Sequence, residues 1–304
     1  MDPRPTAAVT AAARHTRRLL FGSWSTRRWL YLAFAAWLAN LGAGGMRFRV
    51  PGAPRPTMGV PAVDETWSEL WPWLALALGV LVLVGLFALG LWVAVVYLNA
   101  RGGFLLVDLL LRGQGSIARA WRRHGALADD LFLFRVRLGL AYFAAVGVPC
   151  TLCALAVAAW SWWAPETPLL VPMSVGLGAL CLIVAAQLTV AYRCCVVVLH
   201  DLVLPIMYAR RVGVRTAARA AASWLVANPG PALRYAGVRA LIGAATGLVA
   251  LVVGVVVWLF GSMPGIDAVI LVPLLVFVRA FSLRFAAGLA PDLRVLDPEA
   301  ARAA

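Results

Sequence analysis

"RGGFLLVDLLLRGQGSIARAWRRH" occupies residues 101–124. It follows one long apolar run and precedes another. Its own apolar stretch, 104–111, is too short to cross a bilayer, which takes about 20 apolar residues. Its second half is crowded with arginine. Whether this stretch crosses the membrane, lies on it or leaves it decides the fold, because the pattern returns later in the chain.

Wound as a helix, it segregates. Leu106, Leu109, Leu110, Ile117, Ala120 and Trp121 fall on one side, and Asp108, Arg112, Arg119, Arg122 and Arg123 on the other. Asp108 and Arg112 stand four apart in the favourable order for a surface pair. Gly113 and Gly115 interrupt the run, and Ser116 is placed to cap a second piece. An apolar stripe opposite arginines is the signature of a helix lying in the interface plane. The sequence therefore predicts a segment that lies on the inner membrane face and does not cross.

Residues 212–227 repeat the design, with Val214, Ala217, Ala221, Trp224 and Leu225 opposite Arg215 and Arg219. Asn228-Pro229-Gly230-Pro231 ends that helix. Residues 10–24 offer a third version, with Arg14, Arg17 and Arg18 ahead of Trp24. Trp24, Trp121 and Trp224 recur about every hundred residues. Repeat units at 7–99, 100–199 and 200–290 would each hold one basic surface helix and two spans, and would be parallel. Any alternating topology also sets arginines in alternate loops and tryptophans near interfaces, so the repeat remains one reading of two.

Composition fixes the wider class. Of 304 residues, 63% are hydrophobic and only 13% charged, about half the share of a soluble domain. Mean hydropathy is +0.87. So few charges cannot cover a water-soluble surface. The expected fold is all-α: a single polytopic membrane domain over 1–304 with about six transmembrane helices and two or three basic interfacial helices. The candidate spans are 29–45, 71–98, about 138–163, about 169–199, about 241–260 and about 266–289.

The net charge of +14 comes from arginine alone, since the 27 basic residues include no lysine. A preference for phosphate forks would explain that, but a GC-rich coding background is the stronger explanation. Arginines crowd the N-terminal segment, the connections after the second and fourth spans, and the C-terminal end. The opposite short loops, at 165–168 and 261–267, have none. The positive-inside rule then sets both termini on the cytoplasmic side of a cytoplasmic (inner) membrane. Basic charge in this setting marks topology, not nucleic acid. Arg27-Arg28, the apolar run after them and the small residues at 42–45 also fit a signal peptide, whose cleavage would leave five spans. The loop 46–70, with Pro51, Pro54, Pro56 and Pro61, reads as extended, and Trp67, Trp71, Trp73, Trp160, Trp162 and Trp163 as outer headgroup anchors.

After an apolar run, Arg101-Gly-Gly-Phe104-Leu-Leu-Val-Asp108 and His200-Asp201-Leu-Val-Leu-Pro205-Ile-Met207 are each followed by a basic, tryptophan-containing helix. Over residues 95–247 this pattern resembles bacterial and archaeal membrane proteins related to the membrane domain of glycerophosphodiester phosphodiesterases. In that group a separate soluble domain carries the catalysis. The resemblance implies membrane topology and lipid proximity, not phosphodiesterase activity.

Reactive chemistry is sparse. The five cysteines lie in apolar runs, and Cys150-Thr-Leu-Cys153 lacks the soluble context of a redox motif. The three histidines, His15, His124 and His200, sit in separate segments without metal-ligand spacing. No nucleophile elbow and no phosphate loop is present. No metal and no cofactor is expected. The leading expectation is a non-enzymatic membrane scaffold or anionic-lipid-associated protein. Its cytoplasmic face would present Arg119, Arg122, Arg123, Arg210, Arg211, Arg215 and Arg219 to lipid headgroups, with a protein partner or a homo-oligomer compatible with it. Ordinary topology control explains the same arginines without a ligand. The alternative is a permease or channel for a small solute, an anion being one candidate, with Gln187, Arg193 and Arg279 as its intramembrane polar site. A third class is an interfacial enzyme acting through His200 and Asp201.

Overall fold

The computed structural model describes residues 5–21, 26–40, 67–112, 117–163, 170–259, 266–289 and 291–296. All regular structure among them is helical. In chain order these are α1 (Pro5–Phe21), α2 (Thr26–Asn40), α3 (Trp67–Arg112), α4 (Ile117–Arg123), α5 (Gly125–Trp163), α6 (Leu170–Val198), α7 (Leu204–Arg210), α8 (Val214–Ala227), α9 (Pro229–Leu259) and α10 (Ile266–Ala287). A π turn, Leu199–Val203, joins α6 to α7, and a 3-10 turn, Pro291–Leu296, follows α10.

Four stretches are long and apolar enough to cross a membrane: Ala75–Arg112, Gly125–Ser161, Pro172–Arg210 and Pro229–Val255. The chain is a helical membrane protein. These four carry the second to fifth predicted spans. The first predicted span, 29–45, is described only as far as Asn40, within α2. The last becomes α10, which packs against α1, α2 and α9 inside the protein.

The molecule has two zones. In one, the long helices stand apart and expose their apolar side chains: Phe87 is 73% exposed, Leu152 61% and Leu182 73%. Lipid is the only solvent that suits such a surface. In the other, here called the base, the arginine-bearing ends of those helices pack with α1, α2, α4, α7, α8 and α10. Phe104, Leu110, Leu204, Met207, Phe281 and Leu283 are fully buried there.

The opening stretch does not behave as predicted. Residues 101–112 form no separate surface helix; they are the last quarter of α3, and Phe104 to Leu111 is buried in protein. The reason is close packing on both flanks. A Cβ at Gly102 would stand 2.6 Å from the Ala39 nitrogen and from Leu38 Cβ. One at Gly103 would stand 2.7 Å from Leu204 Cδ1. The glycine pair therefore lets α2 and α7 approach the helix instead of ending it. The apolar stripe of α8 is also covered by protein, with Val214, Ala217 and Ala221 buried and Trp224 edge-on to Phe285 at 5.8 Å. Of the predicted polar sides, Arg112, Arg119, Arg122, Arg123, Arg215 and Arg219 are exposed, whereas Asp108 is buried.

The breaks at Gly113 and Gly115, the Ser116 cap, Trp24, the small residues 42–45, the proline-rich residues 46–66 and the loops 165–168 and 261–265 lie outside the described residues. Trp73, Trp160 and Trp163 are exposed at the ends of α3 and α5 remote from the base.

Candidate functional site

The base is apolar at its centre yet holds two buried carboxylates. Asp108 is carried into it by α3. Its Oδ1 accepts from Arg112 Nε at 3.0 Å and from the Tyr208 hydroxyl at 2.8 Å, and lies 3.3 Å from His124 Nε2. The His124 ring is stacked on Phe104 (centroids 6.1 Å, 12°) and lies 4.9 Å from the Tyr208 ring. The pair read as a surface contact therefore exists, but only Arg112 reaches solvent (side chain 47% exposed, against 7% for Asp108). A buried carboxylate costs several kcal/mol unless donors converge on it. Three groups from α3, α7 and the residue between α4 and α5 do so here, which pins those elements together.

Asp201 enters through the π turn. Its Oδ2 accepts from the Tyr235 hydroxyl at 2.9 Å and from Arg239 Nε at 2.7 Å, both on α9 and four residues apart. The Tyr235 ring is stacked with Phe281 (5.6 Å, 7°) and Phe285 (4.0 Å, 22°) of α10. Two further donors land on the π-turn backbone. Ser282 Oγ donates to the Asp201 carbonyl at 3.0 Å, and Arg279 donates to the His200 carbonyl at 2.5 Å. π turns loosen the regular helical ladder and occur often at functional sites.

Three more contacts order the rim. Arg101 grips Asp129 through two bonds of 2.7 and 3.0 Å, donates to the Trp121 carbonyl and lies over the Tyr97 and Trp121 rings. The neighbouring Asp130 accepts the Val214 N–H at 2.7 Å and so caps α8, whose own cap position, Gly213, has no side chain to do it. Arg135 donates to the Asn99 side-chain oxygen, and Asn99 donates to the Ala39 carbonyl.

The predicted arginine face is arranged around this base. Arg119, Arg122 and Arg123 are exposed on α4, Arg210 and Arg211 at the end of α7, and Arg215 and Arg219 on α8. Arg210 pairs with Asp292 of the 3-10 turn at 2.6 and 3.3 Å, and that hydrogen bond holds the Asp292 carboxyl below its ordinary value. Arg211 adopts a left-handed conformation (φ 57°), and its N–H closes α7 on the Met207 carbonyl.

The predicted intramembrane set is divided. Gln187 and Arg193 are exposed on α6, whereas Arg279 is buried on α10. Of the proposed acid–base pair, Asp201 is occupied by Tyr235 and Arg239. Among the described residues, no three His, Cys, Asp or Glu side chains group as a metal site. A cavity of about 340 Å³ between α5 and α6, bordered by Trp160, Met173 and Leu177, is almost wholly apolar.

Sequence reasoning missed Tyr208, Tyr235, Asp129 and Asp130. Tyr235 and Arg239 did leave a signal, a tyrosine and an arginine at helical spacing. Their carboxylate lies 34 residues earlier, beyond local pattern.

No curated protein and no solved structure matches this chain. A family model does match, over residues 4–290 of the 304. The chain thus belongs to DUF7544, a family of unknown function.

Proposed function

We propose that this chain is a non-enzymatic protein of the cytoplasmic membrane that holds anionic lipid headgroups on its arginine-rimmed base. In this reading the base lies at the cytoplasmic leaflet, with both termini on that side. The observation that carries the reading is the division of labour within the base. Its interior carboxylates are already paired, while arginines on α4, α7 and α8 are exposed around it. Each basic residue near an anionic surface contributes about 1 kcal/mol of attraction. The separation of Gln187 and Arg193 from Arg279 counts against the permease.

Nanodiscs of mixed phosphatidylglycerol and phosphatidylcholine test it. Replacing Arg119, Arg122, Arg123, Arg215 and Arg219 with glutamine should abolish enrichment of phosphatidylglycerol around the protein. Unchanged enrichment in the five-fold variant would remove the proposal.

A further inference from the structure

Arg279 is a buried cation of the base. It is 7% exposed, and one terminal nitrogen donates to the His200 carbonyl. Its Nε and its other terminal nitrogen are buried and take no hydrogen bond among the described residues. A guanidinium left this way costs more than an ordinary missing bond, because charged donors are the expensive ones to strip of water.

Its neighbours deepen the imbalance. The guanidinium groups of Arg135, Arg239 and Arg279 all act at electrostatic range on the His200 ring. They come from three different helices, α5, α9 and α10. Arg239 and Arg279 face the same carboxylate, Asp201, which Arg239 already engages, and Arg135 bonds only the neutral Asn99 side chain among the described residues. Arg239 keeps 23% of its side-chain surface exposed.

Depth is informative as well. Counted along their helices, Arg135 lies about 28 residues from Trp163 and His200 about 30 from Leu170. At the α-helical rise this is about 42–45 Å, the thickness of a bilayer with its headgroups. These two members of the cluster therefore lie near a headgroup level.

We propose that Arg279, His200, Arg135 and Arg239 form a binding site for a single phosphoryl oxyanion, supplied by a lipid headgroup or by free phosphate. The oxyanion would accept from the two unused nitrogens of Arg279 and draw the exposed edge of Arg239 toward it, as planar guanidinium forks do with phosphate. The proposal rests on the reading that the base faces anionic headgroups. It differs from that reading in invoking one buried site of fixed stoichiometry instead of a diffuse surface.

The test uses the full chain, delipidated in detergent. Native mass spectrometry with phosphatidylglycerol, against diacylglycerol as the phosphate-free control, should show one tightly retained phospholipid per chain and no retained diacylglycerol. Arg279→Met should weaken retention by at least about tenfold, as expected for loss of charge-assisted bonds. Methionine suits the site because a buried charge is often replaced by an apolar side chain without loss of stability. Arg135→Gln, at the edge of the cluster, should weaken retention in the same direction and decides the matter if Arg279→Met does not fold. Inorganic phosphate alone, read as a rise in Tm lost in the variants, would identify free phosphate as a ligand; lipid retention without that rise would identify the headgroup. The five-arginine surface variant should keep the single lipid even as it loses bulk enrichment. Wild-type retention in both site variants, or no retained lipid and no phosphate-dependent rise in the wild type, would overturn the site while leaving the surface reading to its own test.

Discussion

Phe87 and Phe104 lie on the same helix, 17 residues apart. One is 73% exposed and the other 1%. Both have apolar neighbours in sequence, although Arg101 and Asp108 flank those of Phe104. The difference lies in what solvates them: lipid around the outer half of α3, and α2, α7 and the His124 ring around its inner end. Apolar sequence thus reports exclusion from water, not the identity of the neighbour. In the outer zone the neighbour is interchangeable, because lipid tails are as apolar as leucine. In the base it is a fixed set of side chains, and there a change of shape or charge has consequences.

The sharpest test sets one phenylalanine against the other. Phe104→Ala should destabilise the purified protein by about 3–5 kcal/mol, the cost of a large cavity in a packed core. Phe87→Ala should cost less than about 1 kcal/mol, since tails close over the missing ring. Denaturant or thermal unfolding in matched detergent measures both, and equal effects would dissolve the distinction between the zones.

The carboxylates extend the comparison to charge. Asp108→Ala should cost about 2–3 kcal/mol, because it leaves the Tyr208 hydroxyl and the His124 ring nitrogen without their acceptor. The loss stays below that of a fully buried ion pair because Arg112 can turn to water. Hydrogen exchange should rise in α7 and at the start of α5, and unchanged protection there would refute the pinning role.

The smallest effect belongs to the rim. Asp292 is held below its ordinary value by Arg210. Its contribution is therefore complete above the ordinary carboxylate range and is lost as the pH falls through the depressed value. The pair is half exposed, so screening limits it to under about 1 kcal/mol. The Tm difference between wild type and Asp292→Asn should be small at pH 7, shrink with salt and vanish in acid. A difference that grew on acidification would contradict the assignment.

These contrasts also show what could be read without coordinates. The membrane class, the four long spans and the outward side of α4 and α8 follow from composition, run length and the 3.6-residue period. The destination of the apolar sides does not. Leu106, Leu109 and Leu110 form the same stripe whether lipid or protein covers it, and only the Gly102-Gly103 pair hinted at close helices. The buried clusters were harder still. Asp108 meets Tyr208 a hundred residues later, and Asp201 meets Ser282 eighty-one later. Such partners share no helical face until the chain has folded. Arg279 was visible as a cation inside an apolar run, but its proximity to the π turn was not.

The π turn also sets rotational phase. Five residues, Leu199–Val203, are wound more widely than an α-helix allows, which amounts to one residue inserted into an otherwise continuous rod from Leu170 to Arg210. Each residue of an α-helix turns the chain by about 100°. Deleting one residue there would restore a regular helix, yet would swing everything beyond it by that angle. Tyr208 would leave Asp108, and Arg210 would leave Asp292. The irregular winding thus acts as an angular spacer that aligns the lipid-facing rod with its socket in the base.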